Sequence, residues 1–227
     1  MSRKLKALVC VAHPDDETIF FGGLIATKKY DWTVVCVTDA NADGLGKERM
    51  GQFKKACHLL GVKKIIFLNY PDLFDQRLNT EKLIQDFNNI NSQEFYKYIF
   101  THGILGEYGH KHHQDVSYAT HKVFQRQKIF SVAYNLYPEL SVGLSQKIYN
   151  LKTKLLSKIY AGESMRFLGF LPATSSEGFV ALKYKEVEEI YSFIVGQKKL
   201  ITSNLKAYRW LAHFIENRDF ELKTRPF

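Results

Sequence analysis

His13, Pro14, Asp15, Asp16 and Glu17 crowd one imidazole and three carboxylates into five consecutive positions. Carboxylates this close repel one another, and they coexist only with a cation, a proton or solvent between them. A divalent metal meets that need. His13 and Asp16 are three residues apart, so on a first helical turn they face the same way. An imidazole nitrogen and a carboxylate oxygen are both good zinc ligands. Asp15 does not share that face, and from the side it is placed to take a proton from a water acidified by the cation. Pro14 suits a helix start, where its missing N–H has no partner to lose. A helix dipole attracting acidic residues accounts for the carboxylates one at a time, but not for His13.

Two ligands leave such a site incomplete, because a catalytic zinc usually has three protein ligands plus water. The chain has eight histidines, and five of them lie from His102 to His121. Within that stretch runs Tyr108-Gly109-His110-Lys111-His112-His113. His113, at a predicted helix start, is the natural third ligand. His110, three residues earlier, is left to act on a substrate. His102 and His121 read as solvated residues of a histidine-rich segment, and His58 and His213 as ordinary packing or surface residues.

These segments need a frame that brings them together. Lys6–Ala12 and Asp31–Thr38 are short, valine-rich apolar runs, the pattern of strands buried on both faces of a parallel sheet. Glu17–Tyr30, weakened by Gly22-Gly23, and Lys47–Leu60, stopped by Gly61, read as helices. Lys64–Asn69 reads as a third strand. Strand–helix–strand alternation predicts right-handed βαβ units in an α/β, doubly wound, mostly parallel Rossmann-like sheet with helices on both faces. Further on, Glu81–Ile90, His113–Gln127, Leu140–Tyr160 and Lys185–Thr202 are predicted helices. Tyr96–Thr101, Ile129–Asn135 and Phe167–Leu171 are predicted strands. With no repeat or linker, residues 1–227 are expected to form a single domain. Both chemical segments then follow strands, at the carboxyl edge where open α/β sheets bind ligands.

Composition narrows the function classes. Hydrophobic residues are 45% and charged residues 24%, enough apolar material for a core, so whole-chain disorder is excluded. No apolar run approaches the roughly 20 residues of a spanning helix. The run Ala7–Ala12 is also too short for a secretion signal. Cys10, Cys36 and Cys57 sit in apolar segments and read as reduced residues of a cytoplasmic protein. The net charge of +9 raises nucleic acid, a membrane surface or an anionic substrate. Lys147, Lys152, Lys154 and Lys158 line a stretch whose Leu144, Ile148, Leu151, Leu155 and Ile159 recur at helical spacing. An amphipathic helix is expected there rather than a nucleic-acid surface. Its basic side over 140–160 offers a peripheral membrane contact.

The string Ala12-His13-Pro14-Asp15-Asp16-Glu17 after a first strand, with a later His-x-x-His at His110 and His113, resembles the PIG-L/LmbE-like zinc N-deacetylases. The likeness runs from Lys4 to about Val123. It implies His13, Asp16 and His113 as ligands of Zn²⁺ or another divalent ion, and Asp15 as general base. It implies His110 as general acid or oxyanion stabiliser and Tyr108 as oxyanion donor. Arg49, counted back from Leu60-Gly61-Val62, becomes a substrate contact, and Asp72 a hydrogen-bond partner of sugar hydroxyls. Two departures stand out. The family commonly reads His-Pro-Asp-His where this chain has His110-Lys111-His112-His113, so the aspartate that orients the first histidine is missing and His112 is a competing ligand. Gln52 stands where a glutamate is usual.

The expected activity is hydrolysis of an N-acetyl group on a small or lipid-linked amino sugar of GlcNAc type. Deformylation or ester cleavage at the same site, or a basic binding protein without catalysis, are the rival expectations.

Overall fold

The computed structural model describes residues 4–73, 75–134, 136–163, 173–199, 201–205 and 207–211. The sheet has seven strands: β1 (Lys6–Val11), β2 (Asp31–Thr38), β3 (Lys64–Tyr70), β4 (Tyr98–Thr101), β5 (Lys128–Val132), β6 (Leu140–Gly143) and β7 (Ser176–Val180), in the order β3-β2-β1-β4-β5-β7-β6. The first five pair in parallel, and β7 joins β5 and β6 antiparallel. The helices are α1 (Asp16–Ala26), α2 (Gly46–Leu60), α3 (Thr80–Gln93), the kinked turn α4 (Gly106–Gly109), α5 (Lys111–Val123), α6 (Gln146–Lys154), α7 (Tyr184–Ile194) and α8 (Thr202–Leu205).

Strand alternation builds a core on each face. Ala7, Val9 and Val11 of β1 pack with Phe21 and Ile25 of α1, Phe53 of α2, and Leu155 and Leu156 just past α6. Leu8 and Cys10 pack on the other face with Leu83 and Phe87 of α3 and Val116 and Ala119 of α5. The doubly wound frame is therefore present, with an antiparallel edge added. β1 leads to one face and β4 to the other, so the gap between their carboxyl ends is the topological switch point where such sheets bind ligands.

The second half of the chain departs from the sequence expectations. Leu140–Tyr160 is not one helix: Leu140–Gly143 forms edge strand β6, and the helix begins only at Gln146. Pairing with β7 outweighs the helical periodicity of that segment. α5 starts at Lys111, two residues before the predicted start, because the His110 side chain caps it by accepting the His112 N–H at 3.2 Å. The expected strand Phe167–Leu171 and His213 lie outside the described residues.

Lys152, expected on a basic surface, is fully buried. Its Nζ donates to Glu177 Oε1 at 2.6 Å, and Glu177 also accepts the N–H groups of Gly23 and Leu24 at 2.7 and 2.8 Å. This joins β7 and α6 to the middle of α1. Gly23 makes the approach feasible: a Cβ there would stand 2.9 Å from Glu177 Oε1 and 2.2 Å from a Leu144 methyl carbon. Lys147, Lys154 and Lys158 are exposed. No helix among the described residues is long and apolar enough to cross a membrane.

Two stability predictions follow from this packing. Glu177→Ala strands a buried ammonium and two amide donors and is expected to cost about 3–5 kcal/mol, more than Lys152→Met, which leaves the carboxylate with both amide donors. Urea unfolding of the two variants checks the ranking, and an equal or reversed cost contradicts it. His121 is fully buried in α5, donates from Nδ1 to the Ser117 carbonyl at 2.8 Å, and burial lowers its pKa to about 4. It folds neutral, whereas the unfolded chain takes up a proton near pH 6.5. Its contribution is thus complete above pH 6.5 and falls by roughly 3 kcal/mol as the pH drops to about 4, with no further change below. His121→Gln should flatten the parent's loss of stability over that window, as read from urea midpoints at several pH values.

Candidate metal centre

β1 delivers the chain to the motif, and the motif closes on itself. The His13 N–H donates to Asp16 Oδ2 at 2.8 Å, and the Asp15 carbonyl accepts the N–H groups of Thr18 and Ile19. Asp15 holds a left-handed φ of 111°, strained for a residue with a Cβ. Glu17 fastens it: Oε2 accepts the Asp15 N–H at 3.0 Å, and Oε1 accepts the Tyr160 hydroxyl at 2.8 Å. Asp15 is half-buried, and desolvation followed by repulsion from Asp16 pushes its carboxyl well above the usual range. Asp16 is held well below it; burial opposes the charge, but the imidazoles of His113 and His102 outweigh that.

Across the switch point, the segment after β4 completes a triangle. His13 Nδ1 lies 3.5 Å from Asp16 Oδ2, His113 Nε2 lies 3.5 Å from the same oxygen, and the two nitrogens are 3.3 Å apart. Ligands about 2.0–2.1 Å from a tetrahedral ion stand roughly 3.3–3.4 Å from one another, so one cation fits these three atoms. The three residues singled out as ligands from sequence are thus brought together. His110, His102 with Asp16 and His113, and the trio His13, Asp72 and His112 also lie close enough to offer donors to a cation.

Two buried residues that sequence reasoning missed support the triangle. Glu107 accepts from His113 Nδ1 at 2.6 Å and from the Gly103 N–H at 2.8 Å. That carboxylate fixes the His113 proton on Nδ1 and leaves the Nε2 lone pair facing the triangle. Glu107 has a left-handed φ of 54°, the second strained carboxylate of the site. His102, expected in solvent, is fully buried and stacks on His113 with ring centroids 3.8 Å apart. The Ala12 N–H donates to His102 Nε2 at 3.0 Å, so its proton sits on Nδ1, 3.2 Å from Glu107 Oε2. The findable signal was the position of His102 directly after a buried strand, the same placement that marks His13 after β1.

The remaining candidates divide. His110 stacks on His113 with centroids 4.5 Å apart; burial, then the neighbouring His113 and His13, depress its pKa. Tyr108 is 62% exposed and meets His110 and His113 edge-on, at the mouth of the site. Asp72 Oδ1 is 3.7 Å from His13 Nε2 and 3.5 Å from His112 Nδ1. Arg49 is buried, and its guanidinium is engaged by the Ala40 carbonyl at 2.7 Å, Asp43 at 2.7 Å and Glu163 at 2.9 Å.

The sequence model of the GlcNAc-PI de-N-acetylase family (PIG-L) matches residues 8–124, more than half of the chain. The protein belongs to that family. It is 29% identical over 178 residues to a 1D-myo-inositol 2-acetamido-2-deoxy-alpha-D-glucopyranoside deacetylase of Corynebacterium diphtheriae, covering 62% of this chain and 60% of that one. It is 26% identical over 174 residues to an uncharacterised protein of Acanthamoeba polyphaga mimivirus, covering 69% of this chain and 76% of the relative. Among solved structures, the N,N'-diacetylchitobiose deacetylase from Pyrococcus horikoshii superposes with a TM-score of 0.65 at 20% identity, over 80% of this chain and 85% of that one. The fold is thus shared with that structure.

Glu107→Gln is expected to lower divalent-metal affinity by about 10–100-fold, because the partner that orients His113 loses its charge. Competition against a metal-sensitive chelator measures this, and unchanged affinity removes Glu107 from the site.

Proposed function

We propose that this protein hydrolyses the N-acetyl group of a GlcNAc-type amino sugar or glycoconjugate, using a divalent metal, zinc for preference, held by His13, Asp16 and His113. The carrying observation is the triangle of lone pairs 3.3–3.5 Å apart with Asp15 next in sequence to one of its corners. A metal there supplies a Lewis acid that acidifies water and polarises the acetyl carbonyl.

The side chains do the rest. Asp15 takes the proton of the attacking water. Its raised pKa suits a base that must later release that proton to the leaving amine. His110 accepts the His112 N–H on Nδ1, so when neutral its own proton is on Nε2. It therefore serves as a hydrogen-bond donor to the developing oxyanion rather than as a charged acid. Tyr108, at the mouth, is a second donor. Asp72 takes sugar hydroxyls. For Arg49 a direct substrate contact requires exchanging Asp43 or Glu163, since both already hold its guanidinium.

A free-amine release screen over N-acetyl sugars, run with and without chelator, tests the reading. Activity lost with chelator and restored by Zn²⁺ or another divalent ion supports it; faster turnover of N-formyl sugars or sugar esters, run in parallel, than of the N-acetyl sugars overturns the acetyl assignment. Asp15→Ala is expected to lose roughly 10²–10⁴-fold in kcat with metal content unchanged. Near-parental turnover in that variant overturns the role of Asp15.

A further inference from the structure

His112 occupies the position where the family commonly carries aspartate, and on sequence grounds it competes for the metal. Its two ring nitrogens are both committed elsewhere. Nε2 lies 3.0 Å from the Gln76 carbonyl oxygen, and Nδ1 lies 3.1 Å from His13 Nε2. We propose that His112 is a positioning residue that holds His13 as its Nε2–H tautomer and so turns the His13 Nδ1 lone pair onto the metal; this rests on the metal reading above.

The proton assignment follows from one fact: a carbonyl oxygen only accepts. The proton between Gln76 and His112 is therefore on His112 Nε2. A neutral His112 then presents a lone pair at Nδ1. The His13 Nε2 facing that lone pair must donate. A neutral His13 with its proton on Nε2 has its remaining lone pair on Nδ1, the atom that forms the triangle with Asp16 and His113. Asp72 Oδ1, at 3.7 Å, stands beyond hydrogen-bond range of His13 Nε2, so His112 is the nearer partner.

The far end of this chain of bonds is anchored. The Leu78 N–H donates to Asp115 Oδ2 at 2.8 Å and Arg77 pairs with Asp115 Oδ1 at 2.6 Å. Asp115 is fully buried in α5, three residues beyond His112. The segment carrying the Gln76 carbonyl is thus clamped to the helix that carries His112. The result is two ligands oriented in opposite senses, His113 through Nε2 by Glu107 and His13 through Nδ1 by His112. A second cation among His13, Asp72 and His112 needs His13 Nε2 stripped of its proton, so it and this arrangement exclude each other.

The test compares side chains branched at the same atom. Asn and Asp place an oxygen where His112 carries Nδ1, and Leu places a methyl group there. With Zn²⁺ and Co²⁺ competed against a chelator, His112→Leu is expected to bind about 10–100-fold more weakly than the parent, and His112→Asn and His112→Asp within a few-fold of it. Urea unfolding of the metal-free variants checks that all are folded. Should the Leu variant not fold, ¹⁵N NMR of the zinc-loaded parent decides: a proton on His13 Nε2 is expected. Parental affinity in the Leu variant, an unprotonated His13 Nε2, or a second zinc per chain that His112→Leu abolishes each overturns the proposal while leaving the primary site intact. A parent that binds no metal at all overturns the metal reading itself.

Discussion

The Asp16 carboxyl is buried at 3% exposure yet held well below the usual carboxylate range, and the geometry of the site answers to it. A charge withdrawn from water needs close compensation. Its Oδ2 receives the His13 N–H and is ringed by His13 Nδ1, His102 Nε2 and His113 Nε2 at 3.3–3.5 Å. Imidazoles brought to one carboxylate need their own second nitrogens satisfied in turn. Glu107 serves His113 and His102, and His112 serves His13. The layer beyond the candidate ligands turns three lone pairs, one from each, into a single space, where a cation would complete the compensation of the Asp16 charge.

The parts of the chain that follow the two site loops act through α1. Tyr160 reaches Glu17, which holds the strained Asp15 backbone. Lys152 and Glu177 grip α1 at Gly23 and Leu24. Left-handed backbone at Asp15 and at Glu107 costs about 1–3 kcal/mol at each position, and it persists only where the surroundings over-determine it. Both positions meet that condition: Glu17, which accepts the Asp15 N–H, is held by the Tyr160 hydroxyl, and Glu107 accepts from His113 and from the Gly103 N–H. The +9 charge takes no part in this arrangement, since the triangle and the carboxylates behind it contain no lysine or arginine.

Much of this was legible along the chain. The buried strands β1 to β3 announce themselves as continuous apolar runs, and the ligand candidates stand out because three acids in a row beside a histidine are hard to explain otherwise. The misreadings share one cause. His102 and Lys152 look like polar surface residues because their partners, Asp16 with Glu107 and Glu177, are distant or unremarkable in sequence. Leu140–Gly143 carries a helical pattern, but its partner strand β7 lies beyond Thr174, and no local periodicity reports a pairing over such a distance.

By itself the sequence determined the doubly wound frame and singled out the residues proposed to do the chemistry, because hydrophobic periodicity and local charge crowding are short-range properties. Only the tertiary structure decided which nitrogen of each histidine faces the centre, that Arg49 is tied to Asp43 and Glu163, and that His112 faces His13 rather than joining the triangle. A proton's place on an imidazole depends on what touches the opposite nitrogen. At His13 that partner is 99 residues away, and at His112 it is a backbone carbonyl, an atom every residue has.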